Sequence, residues 1–291
     1  MKSKRSFAVI GGDLRQVKVA EGLADDGYEV KVFGFQDIEF SDKVIISDDM
    51  KSAIENVKAV VIPLPGSLDN ETINAPFYNQ KIYLNDMFQQ MSKNQILLGG
   101  RLSEKINNLS RVYSIYCVDY FEREELTVLN AIPTAEGAIQ LAMEELPITL
   151  HNSKCLILGF GRIGKTLAKM LHGIGANVTV EARKCADLAW IKSYGYEGVH
   201  LNMLPEVIHC YDVIFNTVPS VIMDKEVLSR VKKDCLVIDL ASKPGGVDFD
   251  MAKDLGIKTI WALSLPGKVA PNTAGEIIKD TIINIMSELG V

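Results

Sequence analysis

Gly159-Phe160-Gly161-Arg162-Ile163-Gly164 is the stretch that decides the fold. It follows the apolar run Cys155-Leu156-Ile157-Leu158 and opens the amphipathic run Thr166-Leu167-Ala168-Lys169-Met170-Leu171. Three glycines at this spacing mean little in isolation. Between a strand and a helix they form a dinucleotide fingerprint with a mechanism. Gly159 permits the tight turn, Gly161 lets a pyrophosphate approach the backbone, and Gly164 lets the helix pack on the strand. The phosphates then meet free N–H groups at a helix start, where the dipole also favours anions. The expectation is a nicotinamide-nucleotide site built on Gly159, Phe160, Gly161, Arg162, Ile163 and Gly164.

Which nucleotide depends on the tip of the next strand, Asn177-Val178-Thr179-Val180-Glu181, which runs into Ala182-Arg183-Lys184. An NAD site uses an acidic residue there to hold the ribose 2′-hydroxyl. With Glu181 at the tip, NAD is favoured. With Ala182 at the tip no carboxylate is available, and Arg183 and Lys184 stand ready for a 2′-phosphate. Strand alternation puts Val178 and Val180 on one face and Glu181 on the other, which favours the second register. NADP is therefore expected, with NAD possible. The plainer reading of Arg183 and Lys184 is a solvated turn.

Strands are expected at 154–158, 177–181, 212–217, 235–240 and 257–262, with helices at 162–174, 186–194, 224–232 and 248–255 between them. Short apolar runs joined through helices imply a parallel sheet buried on both faces. Such sheets bind ligands outside the carboxyl ends of their strands. Those ends carry Thr217-Val218-Pro219-Ser220, Ala241-Ser242-Lys243-Pro244 and Leu265-Pro266-Gly267-Lys268. Thr217, Val218, Pro219, Ala241, Ser242 and Ala182 join the expected coenzyme contacts.

The first half repeats the logic, with strands at Phe7–Ile10, Glu29–Phe33, Ala59–Ile62 and Gln95–Leu98. Its first turn, Gly11-Gly12-Asp13-Leu14-Arg15-Gln16, lacks the third glycine, because Gln16 occupies that place. A second dinucleotide site is not expected, whereas a smaller anion held by the helix start and Arg15 is. The segment 131–147, entered through Pro133-Thr134 with Glu136 in the first turn and closed by Pro147, reads as an interdomain helix with the stripe Ile139, Met143 and Leu146. A closing helix from Thr273 to Leu289, with Ile277, Ile278, Ile282, Ile283 and Met286 on one face, is expected to pack back on the first domain. The organisation is then a flavodoxin-like α/β domain at 1–130 joined by helix 272–291, and a nucleotide domain at 148–271. A cleft between two such domains is a common ligand site.

The bulk properties exclude several classes. The chain has 291 residues, 47% hydrophobic and 23% charged, with a net charge of −6. That argues against nucleic acid as a partner. The start Met1-Lys2-Ser3-Lys4-Arg5-Ser6 is basic, but the apolar run behind it reads as a strand rather than a signal-peptide core. No stretch reaches membrane-spanning length, so a cytoplasmic protein is expected. The five cysteines are scattered, with Cys155 and Cys235 inside apolar strands as core residues. The four histidines show no ligand spacing, so no metal is expected, and His209 reads as surface.

The same strand-end motifs resemble the family of dipicolinate synthase A subunits over nearly the whole chain. They are Ile10-Gly11-Gly12-Asp13-Leu14-Arg15-Gln16, Phe121-Glu122-Arg123-Glu124-Glu125, Asn130-Ala131-Ile132-Pro133-Thr134-Ala135-Glu136-Gly137, the glycine turn, Asp239-Leu240-Ala241-Ser242-Lys243-Pro244-Gly245-Gly246, and Leu265-Pro266-Gly267-Lys268-Val269-Ala270-Pro271-Asn272-Thr273-Ala274-Gly275. The glycine fingerprint alone is generic, and the joint pattern is specific. The family can carry a small residue where Glu181 stands. The architecture is also similar to D-2-hydroxyacid dehydrogenases and adenosylhomocysteinase, which implies two Rossmann-like doubly wound domains and, by analogy, a homo-oligomer.

The resemblance implies oxidation of a dihydrodipicolinate to pyridine-2,6-dicarboxylate in the mother cell of a sporulating bacterium, together with the flavoprotein-like B subunit of dipicolinate synthase. A cyclic dicarboxylate calls for cationic or N–H-rich clamps. Asp13 with Arg15, then Arg101, Arg123 and Ser242, are the candidates for substrate binding. Glu136, Glu122 and Lys268 are candidates for the base and Arg15 for a further catalytic role. Glu136 can equally be a helix-start carboxylate answering the dipole, and Lys268 a surface lysine. The acidic pair Glu124 and Glu125 reads as a solvated face. No catalytic histidine of the hydroxyacid-dehydrogenase type is found. Two other functions stay open: a free-standing NADP-linked reductase of a 2-oxo or imino acid, and an NADP-holding scaffold for the flavoprotein.

Overall fold

The computed structural model describes residues 5–291; the basic start read at Met1–Lys4 lies outside the described residues. The chain divides into two compact units, one running to Leu129 and resuming at Ala270–Val291, the other spanning Asn130–Val269.

The first unit contains β1 (Ser6–Ile10), α1 (Leu14–Asp25), β2 (Glu29–Phe33), β3 (Val44–Ile46), α2 (Met50–Ile54), β4 (Ala59–Val61), α3 (Leu84–Gln90), β5 (Ile96–Gly99), α4 (Glu104–Tyr113), β6 (Tyr116–Asp119) and α5 (Glu124–Leu129). Its sheet is parallel, in the order β3-β2-β1-β4-β5-β6. That is the dinucleotide-domain order, not the flavodoxin-like one expected. β1 is buried along its whole length because helices cover both faces. One face packs on α1; the other meets Ile54, Met87 and Phe88.

The second unit contains α6 (Ala131–Glu145), β7 (Lys154–Leu158), α7 (Arg162–Ile174), β8 (Asn177–Ala182), α8 (Cys185–Ser193), β9 (Glu197–His200), α9 (Leu204–Val207), β10 (Val213–Asn216), α10 (Lys225–Leu228), β11 (Leu236–Asp239), α11 (Phe249–Asp254), β12 (Lys258–Trp261) and α12 (Leu265–Val269). The parallel order β12-β11-β10-β7-β8-β9 repeats the first sheet. Strand order reverses between β7 and β10, which is where such sheets bind ligands.

Several sequence expectations need correction. β3, β6 and β9 were not expected, because these edge strands are short and partly exposed. The helix expected at 224–232 holds only over Lys225–Leu228. α6 belongs to the second unit's core rather than connecting two bodies: Ala135, Ala138, Ile139 and Ala142 face the sheet, while Met143 is exposed. It starts at Ala131, so Glu136 lies in the second turn, on the exposed side.

The helix α13 (Pro271–Glu288) packs against α1 within the first unit. It buries Ile277, Ile278, Ile282, Ile285 and Met286. Each such side chain is worth at most about 1.5–3 kcal/mol. Lys279 is nearly buried and pairs with Asp26, Glu276 and Asp280, which raises its ammonium despite desolvation. Among the described residues no helix is long and apolar enough to cross a membrane.

Candidate nucleotide and substrate site

The turn from β7 to α7 assigns each glycine a separate job. Gly159 sits at φ +92°, and a Cβ there would come within 2.7 Å of the Thr217 hydroxyl. A Cβ on Gly164 would lie 2.2 Å from the Gly159 carbonyl oxygen, so only glycine lets α7 seat on the turn. A Cβ on Gly161 would meet nothing within 4 Å. Gly161 is also the N-cap of α7 and supplies no side-chain cap. The amides of Ile163 and Gly164 donate to no group among the described residues. A bare, open helix start of this kind is suited to a diphosphate. Phe160 is turned inward, with the Lys165 ammonium 5.3 Å from its ring centroid.

Thr217 fastens the reversal point, since its N–H and its hydroxyl both donate to the Leu158 carbonyl, at 3.0 and 2.8 Å. Val218 is half-buried and Pro219 exposed. Beneath these loops lies a polar pair that sequence reasoning missed. Asn216 and Asp239 are fully buried at the ends of β10 and β11. Asn216 Nδ2 donates to Asp239 Oδ1 (2.8 Å) and to the Val218 carbonyl (3.0 Å), while its Oδ1 accepts from Val218 N (3.1 Å). The Asp239 carboxylate also accepts from Ala241 N (2.9 Å) and Gly246 N (2.8 Å). The available signal was a polar residue closing each of two apolar strands.

At the tip of β8 the alternation holds. Ala182 is the last strand residue, and Glu181 faces the opposite layer, 1% exposed. One Glu181 carboxyl oxygen has no hydrogen-bond partner. Burial pushes this carboxyl above its usual range, opposed by the Gly159 amide, Arg183 and His200. Arg183 and Lys184 are exposed at the start of α8. His200 braces them: its Nδ1 accepts from Asn202 N (3.2 Å), so its Nε2–H donates to the Arg183 carbonyl (3.1 Å).

The corresponding turn of the first unit is filled by its own side chains. Asp13 caps α1 by accepting from Arg15 N (3.0 Å) and pairs with the Arg15 guanidinium at 2.7 Å. Arg15 also donates to the Leu64 carbonyl and is 7% exposed. Asp13 and Arg15 are thus engaged with each other, which corrects their reading as an open anion clamp. Gln16 is fully buried, and its Nε2 donates to Tyr120 Oη (3.4 Å), which donates to the Ile62 carbonyl (3.0 Å). A Cβ on Gly12 would collide with the Gln16 side chain at 2.5 Å.

Arg123 is not at the strand ends' disposal either. It is held by both Glu288 oxygens at 2.6 Å and by Glu125 at 2.8 Å, so it ties α13 in place and Glu125 is no solvated face. These pairs lower both glutamates and raise the guanidinium. Arg101 differs: it follows β5 at φ +56°, is exposed, and makes no ion pair among the described residues. Asp119 fixes that loop by accepting from Arg101 N (2.9 Å), Leu102 N (2.7 Å) and Phe121 N (2.8 Å). Ser242, Glu122, Glu136 and Lys268 all reach the surface. No group of three or more metal-ligating side chains comes together among the described residues.

Comparison with known proteins joins these observations. Residues 6–121 match the N-terminal domain of the dipicolinate synthase A subunit, and residues 132–250 match the NAD-binding domain of D-isomer specific 2-hydroxyacid dehydrogenases. The A subunit of dipicolinate synthase from Bacillus subtilis (strain 168) is 33% identical over 286 residues, covering 97% of this chain and 96% of its own length. The chain belongs to the family of dipicolinate synthase A subunits. The crystal structure of the A subunit from Bacillus halodurans superposes with a TM-score of 0.92 at 31% identity, covering 98% of this chain and 99% of that one. D-lactate dehydrogenase from Escherichia coli, at 14% identity, TM-score 0.60 and coverage of 98% and 97%, shares the fold. As a member of this family the chain carries a nicotinamide-nucleotide-binding domain of dehydrogenase type in its second unit.

Proposed function

We propose that the chain is the nicotinamide-dependent component of a dipicolinate synthase. It would oxidise a dihydrodipicolinate to pyridine-2,6-dicarboxylate in the mother cell of a sporulating bacterium. It would act with NADP, as a homo-oligomer, beside a flavoprotein-like B subunit. The observation that carries this reading is the uncapped start of α7, with open space above Gly161, in a chain of this family. When bound, the oxidised nicotinamide supplies the hydride acceptor. The reaction removes one hydride and one proton, and the ring becomes aromatic.

The residues divide the work as follows. The α7 amides and Gly161 hold the diphosphate. Arg183 and Lys184 hold the 2′-phosphate, because Glu181 is folded away from the surface and Ala182 presents no carboxylate. Arg101, unpaired and on a fixed loop, takes one substrate carboxylate. Glu136 and Lys268 are the groups offered to take the proton.

Titration of NADPH and NADH by fluorescence tests the reading. Wild type should prefer NADPH, and Arg183→Ala should erase that preference by weakening NADPH about tenfold to a hundredfold. Equal loss of both coenzymes in the variant would defeat the NADP assignment. A second reading, the coenzyme-holding scaffold, is favoured by the internal pairing of Arg15 and the exposure of Glu136. It predicts that the complex with the B subunit keeps its activity in the Arg101→Ala/Glu136→Gln double variant.

A further inference from the structure

The loop that follows β11 is built more rigidly than a connection requires. Leu240 and Ala241 are buried, Ser242, Lys243 and Pro244 are exposed, and Gly245, Gly246 and Val247 are buried again. Both ends of the exposed tip hang from one carboxylate, because Asp239 accepts from Ala241 N and from Gly246 N. Trp261 Nε1 donates to the Ala241 carbonyl at 3.0 Å. The Gly246 carbonyl accepts from Ile222 N and Met223 N at 3.0 Å, and Gly245 N closes the turn onto the Ser242 carbonyl at 2.9 Å. Gly245 stands at φ +87°, and a Cβ on Gly246 would lie 2.2 Å from Asn216 Nδ2. Two glycines and two buried polar side chains are therefore committed to fixing three exposed residues.

Among those three, Lys243 bears the only charge. It is also the only Lys or Arg between β10 and α10 or between β11 and α11, across Thr217–Asp224 and Leu240–Asp248. It makes no ion pair among the described residues. The strand order places β11 two strands from β7, about 10 Å away at the usual strand spacing. The cations Arg183 and Lys184 lie on the other side of β7, at β8. The carboxyl end of this sheet thus has cations on both flanks of the glycine turn, and those at β8 are assigned to the coenzyme.

We propose that Lys243 binds a carboxylate of the substrate, and that Asp239 and Asn216 are positioning residues that hold its loop. The inference rests on the dicarboxylate reading given above. A buried carboxylate tied to two amides of the same loop removes most of its freedom before the ligand arrives, so the ammonium is presented with little ordering left to do.

The test measures binding of dipicolinate and of pyridine-2-carboxylate to the NADPH complex by calorimetry. Wild type should prefer the dicarboxylate. Lys243→Gln should weaken dipicolinate about tenfold or more while leaving NADPH affinity and melting temperature unchanged, and Lys243→Arg should restore part of the loss. Asp239→Asn should weaken dipicolinate in the same direction. If wild type binds dipicolinate and Lys243→Gln binds it equally well, or loses only turnover, the inference falls and the dicarboxylate reading stands. If wild type binds neither acid in any coenzyme state, both fall.

Discussion

The two units solve the same sheet with the same strand order, yet their first turns are opposites. In the second unit the helix start is bare: Gly161 caps without a side chain and faces open space. In the first unit the equivalent helix start is occupied by the protein itself. Asp13 caps it, Arg15 neutralises Asp13, and Gln16 fills the room beneath Gly12. A parallel sheet in this order offers an anion site at its reversal point, and three side chains are enough to close it. Topology supplies the opportunity, and the residues after β1 or β7 decide whether it is open.

The sharpest way to break this contrast is inside the open turn. Gly164→Val forces a side chain into the Gly159 carbonyl, so it should cost about 3 kcal/mol or more of stability and abolish coenzyme binding. Gly161→Leu enters open space, so the melting temperature should hold while coenzyme affinity falls about a hundredfold. Denaturant melts read beside fluorescence titrations check both. Unchanged affinity in Gly161→Leu would mean that the diphosphate does not rest there.

The closed turn gives the next effect. Gln16→Gly puts a glycine at the place Gly164 holds in the second unit, with Asp13 still standing where Gly161 stands. It also removes the bond to Tyr120 and leaves a void, so about 1–3 kcal/mol should be lost. No second coenzyme should bind, because Asp13 and Arg15 still occupy the helix start. Two equivalents of NADPH per chain by calorimetry would overturn the idea that Asp13 and Arg15 keep this helix start closed.

The smallest effect lies at Glu181. Its folded carboxyl is raised above the ordinary 4.5 by burial. The stability it contributes is fully present below that ordinary value and is lost as pH rises through the folded value. Glu181→Gln does not titrate, so its melting temperature should gain on wild type between pH 4 and pH 8, on the order of 1 kcal/mol in stability. A difference that stays flat with pH would show that the carboxyl is not desolvated in solution.

Reading the sequence recovered what is local. The tight turn at Gly159 and the close packing at Gly164 follow from spacing, and the placing of Ala182 at the strand end with Glu181 on the other face follows from the pleat. The edge strands β3, β6 and β9 escaped because they are short and partly exposed. Arg123 looked free because its partner, Glu288, lies 165 residues further on. Arg15 looked available because a guanidinium two residues from a carboxylate can point elsewhere; only the folded cap shows that it does not. Asn216 and Asp239 offered only one signal, a polar residue closing each apolar strand, because their partners are each other and the amides of the loops that follow them.

The return of α13 to the first unit has a consequence for synthesis. Ile277 and Met286 complete a core begun by Phe7 and Val9, yet they leave the ribosome after all of residues 130–269. The second unit is continuous and has every partner it needs once β12 and α12 have emerged. The first unit must wait with α1 uncovered on the side that α13 will take. Assembly of the nascent chain should therefore run out of order, with the later-made unit finishing first, and chaperone contact should concentrate on the face of α1 around Val19 and Leu23.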